Sequence, residues 1–100
     1  MAAENRQESL FFKLCSDHLS IEAIPRRTVQ IDIASLKNRA MSGFELMLWT
    51  PHFVVLRNRE RQEITLRKDG RMVIRNVESE PVARRAAAEV MDAVSRVPEN

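Results

Sequence analysis

Three arginines are the residues of this sequence best suited to binding chemistry. Arg67, Arg71 and Arg75 recur at intervals of four residues on either side of a tight turn. A guanidinium group forms paired hydrogen bonds with phosphate oxygens. Thr65 adds a hydroxyl group, and Trp49 adds an aromatic ring on which a base can stack. The pattern predicts a nucleic-acid-binding surface, with the solvated face of a sheet as the plain alternative.

Charge is concentrated around the same turn. Residues 57–75 carry seven basic and three acidic side chains, although the net charge of the whole 100-residue chain is only +2. A net charge of that size does not by itself indicate nucleic acid, but a local basic surplus favours contact with an anionic partner.

An apolar patch is predicted beside the arginines. In the strand register given below, its members lie on one uncovered face: Met47, Trp49, Val54 and Leu56. Exposed apolar patches mark partner surfaces, which predicts a protein-interaction or homodimerisation module as the alternative function. A second alternative is that the apolar N-terminal segment covers this patch within the same chain.

Other reactive residues do not form a catalytic or metal-binding pattern. Cys15 and His18 have a C-x-x-H spacing, but a closed zinc site needs four ligands and no second pair follows. Ser16 and Asp17 adjoin His18 in sequence, which is not how a catalytic triad assembles in space. The two glycines fit turns and form no phosphate-binding loop. We therefore expect a non-enzymatic protein without a metal or another cofactor.

The composition also bears on location. With a single cysteine the chain has no internal disulfide, which is typical of a reducing cytoplasm. No apolar run approaches the roughly 20 residues of a membrane-spanning helix. The first nine residues are too polar for a signal peptide. The expected location is cytoplasmic, without membrane contact.

The elements that would position the arginines begin with a strand and a short helix. Residues 29–33 alternate between apolar and polar side chains, as in a strand with one buried face. Asp32 can cap a helix that Gly43 closes in a left-handed conformation. The apolar side of that helix consists of Ile33, Leu36, Ala40 and Met41. A final helix starts at residues 79–81 and carries its apolar stripe to Val97.

Four strands are predicted between these helices, at 44–49, 53–57, 62–67 and 71–76. A three-residue turn at 68–70, with Gly70 at a bulge, keeps the apolar residues of the last two strands on one face. The residues predicted on the covered face are Phe44, Leu46, Leu48, Phe53, Val55, Ile64, Leu66, Met72 and Ile74. Those predicted on the open face are Glu45, Met47, Trp49, Val54, Leu56, Glu63, Thr65, Arg67, Arg71, Val73 and Arg75.

The expected fold class is therefore α+β. It consists of a curved antiparallel sheet of about five strands in the order β-α-β-β-β-β-α, with helices packed on one face. Residues 28–97 would form a single domain, preceded by an N-terminal extension at 1–27. Leu10, Leu14 and His18 favour a helix at 5–18 in that extension, although the same segment also fits strands.

This element order resembles one repeat of the TATA-box-binding protein fold. The segment ITLRKDGRMVIRNVESEPVARRAAAEVM, residues 64–91, aligns without a gap to the family pattern, through Gly70, Arg71, Ser79, Glu80 and Ala83. The resemblance covers residues 28–97 and implies the fold. The family binds DNA with two tandem repeats and wedges phenylalanines into the minor groove. Here one repeat is present, and Arg67 and Thr50 stand at the wedge positions, so the resemblance does not extend to DNA kinking.

Overall fold

The computed structural model describes residues 10–14, 20–27, 29–37, 41 and 43–95. Within these ranges six strands form one antiparallel sheet, in the spatial order β1-β2-β6-β5-β4-β3. The strands are β1 (Leu10–Leu14), β2 (Ser20–Pro25), β3 (Phe44–Trp49), β4 (Phe53–Asn58), β5 (Glu63–Arg67) and β6 (Met72–Arg75), and the helix is α1 (Glu80–Ser95). The α+β class is confirmed, but the sheet has one strand more than expected.

The N-terminal segment forms a hairpin of the sheet. β1 pairs with β2, and β2 pairs with β6, so residues 10–14 and 20–25 are built into the same sheet as the remaining strands. The helix predicted at 5–18 is wrong for residues 10–14, and the rest of that range lies outside the described residues. Within the hairpin, alternate residues Ile21 and Ala23 are buried with Leu10 in the common core.

The strand predicted at 29–33 is wrong. Residues 29–32 have no regular secondary structure. Ile33–Leu36 form a short 3-10 turn where the first part of a helix was expected, and Ala40 of that helix lies outside the described residues. The carboxylate of Asp32 accepts a hydrogen bond from the backbone N–H of Ser35, as predicted for a cap. β6 is paired with β5 on one side and with β2 on the other, so residues 29–33 have no place beside it in the sheet.

The turn between β5 and β6 agrees with the sequence prediction. The N–H of Arg67 donates to the carbonyl of Arg71, and the N–H of Gly70 donates to the carbonyl of Arg67, both at 2.9 Å. Gly70 has a φ of +89°, in the left-handed region. Leu66 lies opposite Met72 and Ile64 opposite Ile74, which places all four side chains on the buried face.

The predicted faces of β4 are reversed in the structure. Val54 lies opposite Leu66, and Leu56 lies opposite Ile64, so both residues assigned to the open face are buried in the core. Phe53 and Val55, assigned to the covered face, lie on the open one. The turn at 59–61 sets this register, because the N–H of Asn58 donates to the carbonyl of Gln62.

A bulge in β3 changes the faces a second time. Leu46 lies opposite Leu56 on the covered face, but Leu48 lies opposite Val55 on the open face, because the register shifts at Met47. Beyond the bulge, Trp49 lies opposite Val54 and therefore on the covered face. The predictions for Leu48 and Trp49 are both wrong for this reason.

One face of the sheet is covered by α1 and by the 3-10 turn. The helix packs on β6 and β2 through small buried residues, Ala83, Ala86 and Ala87, together with Val90. Alanine permits a close approach of helix and sheet, and the predicted apolar stripe of this helix is confirmed as far as Val94. Neither the 3-10 turn nor α1 has the length and apolar character that crossing a membrane requires.

Candidate nucleic-acid interface

Arg67 and Arg71 form the closing pair of the β5–β6 turn. Their backbones are hydrogen-bonded to each other, so two cationic side chains stand side by side. Each has a carboxylate neighbour: Arg67 contacts Asp69 at 2.8 Å and Arg71 contacts Glu22 at 3.9 Å. All four side chains remain a quarter to a half exposed, so solvent and anionic ligands reach both guanidinium groups.

Further cations gather at the same end of the sheet. Buried Gly70 packs against Pro25 and Val29, which brings the Arg26-Arg27 pair next to the turn. The turn is also anchored by hydrogen bonds from the Lys68 N–H to the His52 carbonyl and from the Ile31 N–H to the Lys68 carbonyl. We call the resulting group the basic end of the sheet, and it consists of Arg26, Arg27, Arg67, Lys68 and Arg71.

Two phenylalanines flank the arginine pair on the open face. Phe53 lies directly opposite Arg67, and its ring is partly exposed. On the other side Phe11 lies opposite Ile24, with the Arg26 guanidinium 5.7 Å from its ring centroid. Sequence reasoning missed both rings. Placing Phe53 on the open face requires the register that the 59–61 turn sets. Placing Phe11 there requires the pairing of β1 with β2.

The remaining predicted ligands are only partly brought together. Thr65 lies on the open face between Val55 and Val73, one alternate position along β5 from Arg67. Arg75 lies at the far end of β6, about 13 Å from Arg71 along an extended chain. The site therefore joins Thr65 to Arg67 and Arg71 but leaves Arg75 apart.

Trp49 lies on the opposite side of the sheet from the arginine pair. Its indole N–H donates to the Ile33 carbonyl at 2.9 Å, and the Lys37 ammonium lies 4.9 Å from its ring centroid. The predicted partner patch does not form either, since Val54 and Leu56 are core residues and only Met47 is well exposed. Trp49 was predicted in both the nucleic-acid-binding surface and the partner patch on the open face, and it lies on the covered face instead.

A second concavity opens at the opposite end of the sheet. This cleft of about 980 Å³ lies between α1 and the 59–62 and 76–78 segments. Its charged lining mixes two arginines with three glutamates: Arg75, Arg85, Glu60, Glu78 and Glu89. Arg61 and Asn76 have positive φ angles there, and the Asn76 amide donates to the Arg61 carbonyl at 3.0 Å. The mixed charge gives this cleft no preference for an anion.

The residues considered for metal binding add no site. Cys15 and His18 lie outside the described residues, and His52 is exposed between β3 and β4. Across the part of the chain that the structure describes, no three His, Cys, Asp or Glu side chains are grouped in a way that would hold a metal ion.

Comparisons with protein-family models, curated proteins and solved structures find no match to this chain. The resemblance to the TATA-box-binding protein fold stays a prediction. The observed order has two strands before the 3-10 turn, whereas the resemblance was based on a single strand there.

Proposed function

We propose that this protein is a non-enzymatic binding module that holds single-stranded nucleic acid on the open face, at the basic end of the sheet. Arg67 and Arg71 contact backbone phosphates, and Phe53 stacks on a base. The observation that carries the proposal is the adjacent Arg67–Arg71 pair beside the partly exposed Phe53 ring on the open face, at a turn against which Pro25, the neighbour of Arg26, also packs. A basic surface with aromatic platforms is the usual arrangement for strands whose bases are unpaired.

The existing ion pairs are compatible with this function. Surface pairs between arginine and carboxylate contribute at most about 1 kcal/mol, because water screens them. A phosphate can therefore replace Asp69 at Arg67 or Glu22 at Arg71 without a large loss of stability. Until it does so, the two carboxylates reduce the repulsion between the adjacent guanidinium groups.

The double substitution Arg67→Gln/Arg71→Gln tests the phosphate contacts. We expect affinity for a labelled oligonucleotide of about twelve nucleotides to fall at least about tenfold, and the slope of log K against log salt to flatten by about 1.4 for two lost contacts. Fluorescence anisotropy at several salt concentrations measures both quantities.

The matched control is Arg59→Gln/Arg85→Gln, which removes the same charge from exposed positions away from the basic end. If both double variants lost the same affinity for the oligonucleotide, binding would depend on the net charge of the protein and not on the position of Arg67 and Arg71. A wild-type protein that binds neither single-stranded DNA nor RNA at low salt would remove the proposal.

Stacking by Phe53 has a separate signature. Phe53→Leu keeps an apolar side chain but removes the ring, so we expect binding of single strands to weaken by about 1–3 kcal/mol while the salt slope stays unchanged. Duplex DNA of the same sequence is the comparison, since its bases are not available for stacking. An identical loss with duplex and single strand would contradict a stacked base at Phe53.

A further inference from the structure

Five residues of the open face lie in one row that runs across the strands. Phe53 of β4 lies opposite Arg67 of β5, and Arg67 is hydrogen-bonded through its backbone to Arg71. The register of β2 with β6 places Ile24 next to Arg71. Ile24 in turn lies opposite Phe11 of β1. This row, which we call the aromatic row, therefore begins and ends at a phenylalanine and contains two arginines between them.

Both ends of the aromatic row are accessible from the open face. The Phe11 side chain is 48% exposed, whereas its neighbours Leu10 and Phe12 pack in or against the core. Phe53 is partly exposed, and the next residue, Val54, is fully buried. Because successive side chains of a strand point to opposite faces, both rings lie on the open face.

A cation accompanies each ring of the aromatic row. The Arg26 guanidinium lies 5.7 Å from the centroid of the Phe11 ring, and Arg67 is the cross-strand neighbour of Phe53. Arg71 lies between these two units, and its guanidinium is 3.9 Å from the Glu22 carboxylate of β2. A ring beside a cation can bind a base and the adjacent phosphate together. The aromatic row contains two such units on one surface.

The length of the aromatic row matches a short single strand. Phe11 and Phe53 are four strand spacings apart, which corresponds to about 19 Å at about 4.8 Å for each spacing. A stacked strand advances about 3.4 Å per nucleotide, so about six stacked nucleotides, or fewer in an extended strand, cover this distance. Site sizes of folds that bind single strands begin at about four nucleotides.

The opposite end of the open face disfavours phosphate. Arg57 lies between Glu45 and Glu63 in the pairing of β3, β4 and β5. Its guanidinium contacts the Glu45 carboxylate at 3.1 Å. Two carboxylates beside one guanidinium make the local charge negative, which repels a phosphate. Charge therefore favours a bound strand that follows the aromatic row across the β-strands over one that runs along them.

We propose that the Phe11 ring is a second stacking platform, and that a single strand of about four to six nucleotides lies across the sheet from Phe53 to Phe11. The inference rests on the proposed function and extends its site to β1. Bases near the two ends of the bound segment stack on the two rings. The phosphates between them contact Arg67 and Arg71, and Arg26 binds the phosphate beside the base on Phe11.

Phe11→Leu and Phe12→Leu are a matched pair that tests the second platform. The two residues are adjacent in β1, but the centroid of the Phe12 ring lies 4.6 Å from the Arg84 guanidinium of α1, on the covered face. For an oligothymidylate of about six nucleotides, Phe11→Leu should weaken binding about fivefold to about a hundredfold, which corresponds to one stacked base. Phe12→Leu should change the affinity by less than about twofold. Fluorescence anisotropy measures the affinities, and thermal unfolding checks both folds.

Oligonucleotide length shows whether one strand reaches both rings. About three stacked nucleotides cover about 10 Å, half of the aromatic row, so a strand of that length contacts one ring at a time. Phe11→Leu should weaken the binding of this shorter strand by no more than about twofold, because the Phe53 end stays available. A loss of the same size for about three and about six nucleotides would contradict one strand that spans the row.

Failure of this inference differs from failure of the proposed function. If Phe53→Leu weakens binding of the single strand and Phe11→Leu does not, the second platform is overturned while the proposed function stands. Equal losses in Phe11→Leu and Phe12→Leu would mean that β1 acts only through the stability of its hairpin, which also overturns the second platform. A wild-type protein that binds no single strand at low salt removes both proposals.

Discussion

Replacing Leu56 with alanine is expected to lower the free energy of unfolding by about 2–5 kcal/mol, whereas Leu48→Ala should change it by less than about 1 kcal/mol. The two substitutions remove the same atoms. They differ because Leu56 is 1% exposed and packs in the core, while Leu48 is 49% exposed at the sheet edge. Urea unfolding measures both values, and an unchanged denaturant slope confirms that the comparison concerns stability.

This pair of substitutions also tests the register of the sheet. In the alternation expected from sequence, Leu48 would be covered and Leu56 open, so the larger loss would fall on Leu48. The structure places Leu56 opposite Ile64 and Leu48 opposite Val55, which reverses the order. A larger effect at Leu48 would therefore support the simple alternation and contradict the bulge at Met47.

Elements with their own local signals were predictable. The β5–β6 hairpin has a glycine at its bulge position, and the last helix combines a start signal with a long apolar stripe. Both are determined by residues close together in sequence, and both are confirmed. The segments at 10–25 and 29–33 lack such signals. Both contain apolar and polar residues in alternation, yet only the first supplies strands, and β2 pairs with β6 while residues 29–32 have no regular structure.

The face of each strand depends on single turn residues, and an error of one residue exchanges core and surface. Asn58 organises the 59–61 turn: its side-chain oxygen accepts hydrogen bonds from the Glu60 and Gln62 N–H groups, and Arg61 takes a positive φ. No glycine marks that turn. The arginine pair was therefore predicted correctly from the adjacent hairpin, while Phe53 and Trp49 were assigned to the wrong faces.

Gly70→Ala is the second substitution with a large expected effect on stability, about 2–5 kcal/mol. Alanine at a φ of +89° is strained, and an added Cβ at this position would lie 3.0 Å from the Pro25 Cγ and 3.1 Å from the Val29 Cβ. Left-handed strain contributes about 1–2 kcal/mol and overpacking about 1–3 kcal/mol. Thermal or urea unfolding of the variant measures the sum.

Gly43→Ala separates the two contributions to the Gly70 effect. Its φ of +87° is nearly the same, but no atom lies within 4 Å of an added Cβ, so only the strain of about 1–2 kcal/mol is expected. The difference between the variants then measures how tightly the turn is packed against Pro25 and Val29. Equal losses would mean that this packing is loose. In that case Arg26 and Arg27 would not be held beside Arg67 and Arg71. The grouping of these residues as the basic end would then be contradicted.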